Sequence, residues 1–524
     1  MTTVRGSVPT TKVRLAELVA ALSLGVDLGF GQPMEHVLRQ CMIALRLAEL
    51  IELDEQERSV VYYTALLVNV GCHADAYEQA KWFGDDIALK SGKYVHDMHG
   101  LRAAAASMRL VGSGNHGLQR VRVGVEFALR GHREIDGMIE QHAALARGFA
   151  QRLGLSGAVQ NAVGSSYEQW DGRGWPGELR GEQVPVASRL AQLAEFTEVA
   201  HRIGGVPAAT ALARKRAGGQ FDPHLSAALC AHADEILGGL DAARTWDAVI
   251  ASEPSLGVWL SEDDFDLALR AIADFVDLKS PYMLGHGQAV AELAAGAGSL
   301  LGLSAGEIET VRRAGLVHGL GRLGVSNAIW DKPGPLGAGE WERVRMHPYL
   351  TERMLHQSAV LVPLGAIAML HRERLDGSGY PRGLSGAAIP PLARILGAAD
   401  AYRSMREPRP YRPALTSAAA ATELQTEVSA GRLDRDAVDA VLRTAGHPVA
   451  GRPAGPAGLT VREIEILRLL ARGLSNKEIS AQLVITTKTA RNHIEHIYTK
   501  IGASSRVAAS LYAMQHGLTV DETT

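Results

Sequence analysis

Apolar residues recur at i, i+3, i+4 and i+7 through most of this chain. The runs HVLRQCMIALRLAELIEL, from His36, and EIETVRRAGLVHGL, from Glu307, show the stripe of an amphipathic helix. Strand-like alternation is scarce, so the pattern predicts an all-α protein. One segment breaks the periodicity: GHPVAGRPAGPAG, residues 446–458. Its Gly, Pro and Ala content disfavours regular structure and predicts a linker that isolates residues 459–524.

The helical pattern ahead of that linker occurs twice. EQWDGRGWPGELRGEQVPVASRLAQLAE, from Glu168, aligns without gaps with ERLDGSGYPRGLSGAAIPPLARILGAAD, from Glu373. His36 through Gly71 aligns in the same way with His286 through Gly321. A third pair, ATALARKRAGGQFD and ATELQTEVSAGRLD, follows in the same order. Shared order implies two copies of one helical domain, expected at residues 1–250 and 256–445. The spacing between matched pairs differs, which puts extra residues of the first copy between Cys72 and His142.

Composition narrows the class. A 524-residue chain with 46% hydrophobic and 21% charged residues is expected to be globular, with two or three domains. No apolar run is long enough to span a membrane, and MTTVRGSVPTTKVR does not read as a signal peptide. Three widely spaced cysteines, Cys41, Cys72 and Cys230, argue against a disulfide framework and for a cytoplasmic location. The net charge of -3 says little, so any nucleic-acid footprint must be local.

Residues 459–524 carry such a footprint. Between Leu459 and Leu518 there are eight basic residues and four acidic ones. Thr460 with Glu463, and Ser475 with Glu478, have the spacing of capping boxes, and Gly473 and Gly502 are placed to close helices. Two short helices and a third bearing exposed Lys and Arg form a helix-turn-helix pattern. LTVREIEIL, GLSNKEISAQL, TTKTARNHI and KIG resemble the LuxR-type helix-turn-helix family. The resemblance implies that residues from Thr487 to Lys500 form the recognition helix. Thr489, Arg491, Asn492 and His493 would then face the major groove or flanking phosphates, and Lys488 and Lys500 would hold phosphates. Double-stranded DNA is the implied partner, bound by a homodimer.

The second copy places His286, His318, His347, His371 and Asp400 on successive helical segments, where imidazoles and a carboxylate can converge on a metal. DKPGPL, HRERLDGSGYPRGLSGAAIP, ARILGAADAY and RPYRPAL resemble the HD-GYP family of helical metal-dependent phosphodiesterases, usually acting on cyclic di-GMP. The implied architecture is two tandem HD-domain-like bundles followed by the LuxR-type domain.

Departures from the family pattern shape the expected function. The family's paired His-Asp is His318-Gly319 here, and its paired histidines are His371-Arg372. A two-metal mechanism needs the missing bridging carboxylate. One divalent ion on His286, His318 and Asp400 is therefore the expected cofactor, with His347 and His371 as secondary candidates. Arg322, Arg372, Arg374 and Arg382 either hold phosphate groups or stand solvated or salt-bridged, the second being the more ordinary outcome. In the first copy only His36 and His142 persist; the other ligand positions become Val68-Asn69, Ser166-Tyr167 and Glu195. These losses predict a DNA-binding transcriptional regulator without hydrolase activity, whose degenerate repeated region senses a small-molecule or nucleotide ligand or dimerises. The alternative is a metal-dependent phosphodiesterase acting on a cyclic dinucleotide and carrying a DNA-binding tail.

Overall fold

The computed structural model describes residues 13–94, 111–112, 117–127, 129, 132–240, 244–254, 257–448, 456–483 and 485–518. The expectations for the N-terminal residues 1–12, for linker residues 449–455 and for part of the segment between Cys72 and His142 lie outside them. Among the described residues the regular elements are helices apart from one short ladder, Val13–Arg14 antiparallel to Trp259–Leu260, and a few isolated bridges. The chain forms two compact units, Met1–Ala445 and Gly446–Thr524.

Within the first unit the two sequence copies become two sets of helices in the same order. His36–Leu50, Glu55–Leu67 and the turn Val70–His73 match His286–Leu300, Ala305–Val317 and the turn Leu320–Gly324. His132–Arg152, Gly157–Gly164 and Val186–Arg216 match Ala338–Leu355, Val362–Ala368 and Pro391–Arg406. The second helix of each set opens on a capping box, Asp54 with Glu57 and Ser304 with Glu307. Glycine sets the turn in both. A Cβ at Gly71 would stand 2.6 Å from the carbonyl oxygen of His142, and one at Gly321 would run into that of His347. Each turn therefore passes directly beneath the helix carrying the next histidine.

The copies share a single apolar core. The helix Leu15–Gly29 has 13 of its 15 residues buried, and its Gly25 lies against Leu323 and Met354 of the second copy. Each buried leucine on it contributes about 2 kcal/mol, so this helix ties the first copy to the second. A polar clamp does the same. Buried Asp86 accepts hydrogen bonds from the Ser326 hydroxyl at 2.7 Å and the Asn327 amide at 2.8 Å, and pairs with Lys279 at 3.1 Å. Burial alone would raise its carboxyl, but Lys279, Lys90 and these hydrogen bonds outweigh burial and hold it below the usual range.

The second unit contains the helices Val461–Ala471, Asn476–Gln482, Thr487–Ile501 and Arg506–Gln515. Thr460 and Ser475 close the two capping boxes at its first two helices, and Gly502, at φ 67°, ends the third. Leu459, Ile466, Leu467, Leu470, Ile479 and Ile497 form a separate core.

Candidate metal centre and nucleic-acid interface

Three helices bring one cluster together. His286 is the first residue of His286–Leu300, His318 caps the end of Ala305–Val317, and Asp400 lies within Pro391–Arg406. All three are fully buried, and one ligand atom from each lies within 4.8 Å of the others. Asp400 Oδ1 is 3.2 Å from His286 Nε2 and 3.7 Å from His318 Nε2. Both rings are oriented through their other nitrogen. His318 Nδ1 donates to the Gly315 carbonyl at 2.6 Å, and His286 Nδ1 faces Glu407 at 2.9 Å. In the neutral ring each Nε2 then presents a lone pair, the form that binds metals. Burial pushes His318 down to about 4, which keeps it neutral at pH 7.

The donor set fits a single divalent ion. His318 Nε2 is buried without a hydrogen-bond partner, and two imidazole lone pairs converge on one carboxylate oxygen with no hydrogen between them. Such an arrangement is stabilised by a cation. The chain supplies positive charge there itself. Arg372 Nη2 lies 3.1 Å from Asp400 Oδ2, and Arg322 Nη2 lies 3.2 Å from His286 Nε2 and 3.9 Å from Asp400 Oδ1. Burial raises the Asp400 carboxyl, but the charge of Arg372 beside it outweighs burial and holds the group well below the usual range. Burial brings Arg322 down to about 10, so it stays protonated.

The secondary candidates face each other beside this cluster. His347 and His371 send Nδ1 to the carbonyls of Val344 and Ala368, and their Nε2 atoms stand 3.4 Å apart. Burial, with the nearby arginines, holds both neutral. The charges of Arg322 and Arg372 also oppose a second cation here, and no carboxylate completes a further group among the described residues. Arg322 and Arg372 separate the cluster from a cavity of 720 Å³. Trp330, Trp341, Tyr380 and Tyr411 line it, together with Arg374, Arg409 and Arg412. Arg382 is exposed and is not among its lining residues.

The first copy closes over its corresponding position. Lys93 Nζ lies 2.6 Å from Glu195 and 2.9 Å from Asn69, above the rings of Phe30 and Tyr94. Tyr94 donates to Glu195 at 2.8 Å, and its hydroxyl is 3.5 Å from His36 Nε2. His36 is held by Glu198 and His142 by Asp75. Sequence comparison missed Lys93 and Tyr94, because they belong to the segment without a counterpart in the second copy.

On the second unit, Lys488, Thr489, Arg491 and Asn492 are exposed on one helix, and His493 is half-buried. Arg491 reaches Glu495 at 3.3 Å. Lys500 is tied down: its Nζ lies 2.8 Å from Glu463, the acidic member of the first capping box. No helix among the described residues is long and apolar enough to cross a membrane.

Known proteins match along the same divisions. An HD-domain family model covers residues 270–437, and one for bacterial regulatory proteins of the luxR family covers residues 457–513. The chain is 31% identical over 413 residues to the 3'3'-cGAMP-specific phosphodiesterase 3 of Vibrio cholerae, spanning 78% of this chain and 90% of that one. It is 40% identical over 146 residues to the cyclic di-GMP phosphodiesterase response regulator RpfG of Xanthomonas campestris, spanning 27% and 38%. A crystal structure of a cyclic GMP-AMP-specific phosphodiesterase of V. cholerae, V-cGAP3, superposes with a TM-score of 0.58 at 25% identity, covering 83% of this chain and 98% of that one.

These findings correct the expectation that the chain is not an enzyme. That expectation rested on the missing carboxylate at Gly319. The His286–His318–Asp400 cluster is nevertheless compact and buried, and the likeness to a phosphodiesterase extends over 413 residues, more than the second copy alone holds. With its metal-ligand cluster intact and nearly the whole length of such a relative matched, the chain belongs to the HD-domain phosphodiesterase family that includes the 3'3'-cGAMP-specific phosphodiesterase 3 of Vibrio cholerae.

Proposed function

We propose that this protein is a metal-dependent phosphodiesterase that opens a cyclic dinucleotide at a phosphodiester bond, and that its luxR-type domain takes it to double-stranded DNA as a homodimer. The observation that carries the catalytic reading is the buried His286–His318–Asp400 cluster behind an arginine- and aromatic-lined cavity. The likeness to phosphodiesterases named for 3'3'-cGAMP and cyclic di-GMP supports the choice of substrate.

His286, His318 and Asp400 would hold the ion, and a divalent ion so held supplies Lewis acidity and an activated water. Glu407 and the Gly315 carbonyl fix the two rings so that both Nε2 atoms face Asp400. Trp330, Trp341, Tyr380 and Tyr411 offer faces on which bases stack. The arginines favour an anionic ligand over a neutral one of the same size. With glycine at 319, these three residues would hold one ion rather than two.

The exposed basic face of Thr487–Ile501 supports DNA as the partner of the second unit. On this reading the nucleotide is both substrate and signal, and its occupancy biases the DNA-bound state. The test is direct. Protein purified without chelator is incubated with 3'3'-cGAMP and with cyclic di-GMP, and linear products are separated by chromatography. Metal-dependent product that disappears with EDTA and in Asp400→Ala supports the reading. Absence of product with either nucleotide, in protein shown to carry an ion, overturns it.

A further inference from the structure

The second copy has more fixed positive charge beside its metal ligands than it has carboxylate to neutralise. Arg322 and Arg372 are both mostly buried, and both lean on the one carboxylate of Asp400. Glu407 does not relieve them, since it is shared among His286, Arg403 and Arg409. Behind them, Arg374 is held on the carbonyls of His371 and Glu373, and Arg412 on those of Ser404, Met405 and Glu407. Carbonyl oxygens orient a guanidinium but do not cancel its charge. The cavity these groups line therefore has a wall of excess positive charge next to the metal ligands.

Gly319 lies beside the Arg322 guanidinium. A Cβ at Gly319 would lie 3.7 Å from Arg322 Nη1 and 3.9 Å from its Cζ. Its nearest neighbour would be Val276 Cγ1 at 3.3 Å, and the guanidinium stands at ordinary van der Waals distance from that position. The backbone there, at φ -81°, accepts any L residue, so conformation does not demand the glycine.

Resting on the phosphodiesterase reading above, we propose that Arg322 and Arg372 act together as a guanidinium clamp that binds the non-bridging oxygens of the substrate phosphodiester, supplying the positive charge that a second metal ion would otherwise bring. Each arginine presents a planar fork suited to two oxygens of one phosphate. Asp400 holds both forks beside the cavity. An anion entering the cavity then meets donors that are already oriented and already desolvated, which favours binding without a large ordering cost. The clamp is an anion-binding device of the protein itself, so it works with the metal removed.

The test measures binding rather than turnover. Full-length protein stripped with EDTA is titrated with cyclic di-GMP by calorimetry, with metal content of unstripped protein read in parallel by mass spectrometry. The wild type is expected to bind after stripping. Arg372→Ala is expected to weaken that binding about tenfold or more while metal content stays at one ion per chain. Gly319→Asp keeps both arginines but gives Arg322 a neighbouring carboxylate, and it is expected to weaken binding several-fold with the melting temperature preserved. The second variant keeps the inference testable if removal of buried Arg372 unfolds the protein. Binding within twofold of wild type in Gly319→Asp and in a folded Arg372→Ala overturns the clamp. So does complete loss of wild-type binding on stripping, or two ions per chain in the wild type. Failure of the phosphodiesterase reading is separate: arginine-dependent binding would persist, with no linear product from the metal-replete enzyme.

Discussion

The two copies of the repeated domain answer the same problem, a buried carboxylate at the centre of a helical bundle, in two ways. In the first copy Glu195 is met by the ammonium of Lys93, which Asn69 and two aromatic rings hold in place. In the second copy Asp400 is met by two imidazoles and two guanidiniums, and the guanidiniums border a cavity. An ammonium so enclosed completes a structure. Charged groups that border a cavity remain available to a ligand. The same scaffold therefore encloses its buried carboxylate in one copy and sets it behind a cavity in the other, and a few side chains make the difference.

The largest expected contrast comes from the carboxylates themselves. Asp400→Ala is expected to lower phosphodiester hydrolysis at least about a hundredfold, because it removes a ligand of the single ion. Glu195→Ala is expected to leave turnover per folded molecule unchanged while lowering the melting temperature. Rate assays paired with thermal melts check both. Equal losses of turnover in the two variants would break the distinction between the copies.

Lys93→Met tests the sealed copy from the other side. It leaves the buried Glu195 carboxylate facing only Asn69 and Tyr94, and breaking such a pair costs about 3–5 kcal/mol. Denaturant unfolding reads this loss. A smaller version of the contrast lies in pH. Burial pushes Glu198 and Glu407 up, but hydrogen bonds from His36 and Arg39 in one case, and from His286 and Arg409 in the other, bring both down to about 2 from 4.5. Carboxyls depressed in the folded state add stability that is full above pH 4.5 and lost as pH falls toward 2. Melting temperature is expected to drop across that window, and the drop to shrink in Glu198→Gln and in Glu407→Gln. Only Glu407→Gln is expected also to reduce turnover at neutral pH, since Glu407 orients His286.

The smallest effect on stability belongs to the second unit. Arg491→Ala and Lys488→Ala remove exposed side chains and are expected to change folding by less than about 0.5 kcal/mol. Both are expected to weaken DNA binding, and each lost phosphate contact to reduce the salt slope by roughly one. Filter binding at several salt concentrations checks this. Lys500→Ala is expected to cost stability as well, because Lys500 pairs with Glu463.

Much of the fold was legible in the chain because it rests on local rules. Thr460 with Glu463 and Ser475 with Glu478 are separated by three residues, and capping geometry follows from that spacing. The repeat was legible because Glu168 and Glu373, or His36 and His286, stand in matching contexts. His286, His318 and Asp400 were legible through family resemblance, and they do converge. What was hidden depends on contacts between distant segments. Nothing around Arg322 or Arg372 in sequence says that both guanidiniums meet Asp400, and nothing near Lys93 says that it ends on Glu195, about a hundred residues later. Asp86 is a similar case, since its buried partners Lys279 and Ser326 lie about two hundred residues away. The missing carboxylate at 319 also misled for a physical reason: losing one ligand was equated with losing the reaction, although three residues that can hold one ion remain.

On the function proposed above, the second copy alone holds one catalytic ion. Metal content and cyclic dinucleotide turnover, measured together on protein purified without chelator, test it most directly. One divalent ion per chain is expected, with ion and turnover lost together in Asp400→Ala and both retained in Glu195→Ala. A protein that carries no ion, or whose turnover survives Asp400→Ala, would contradict it.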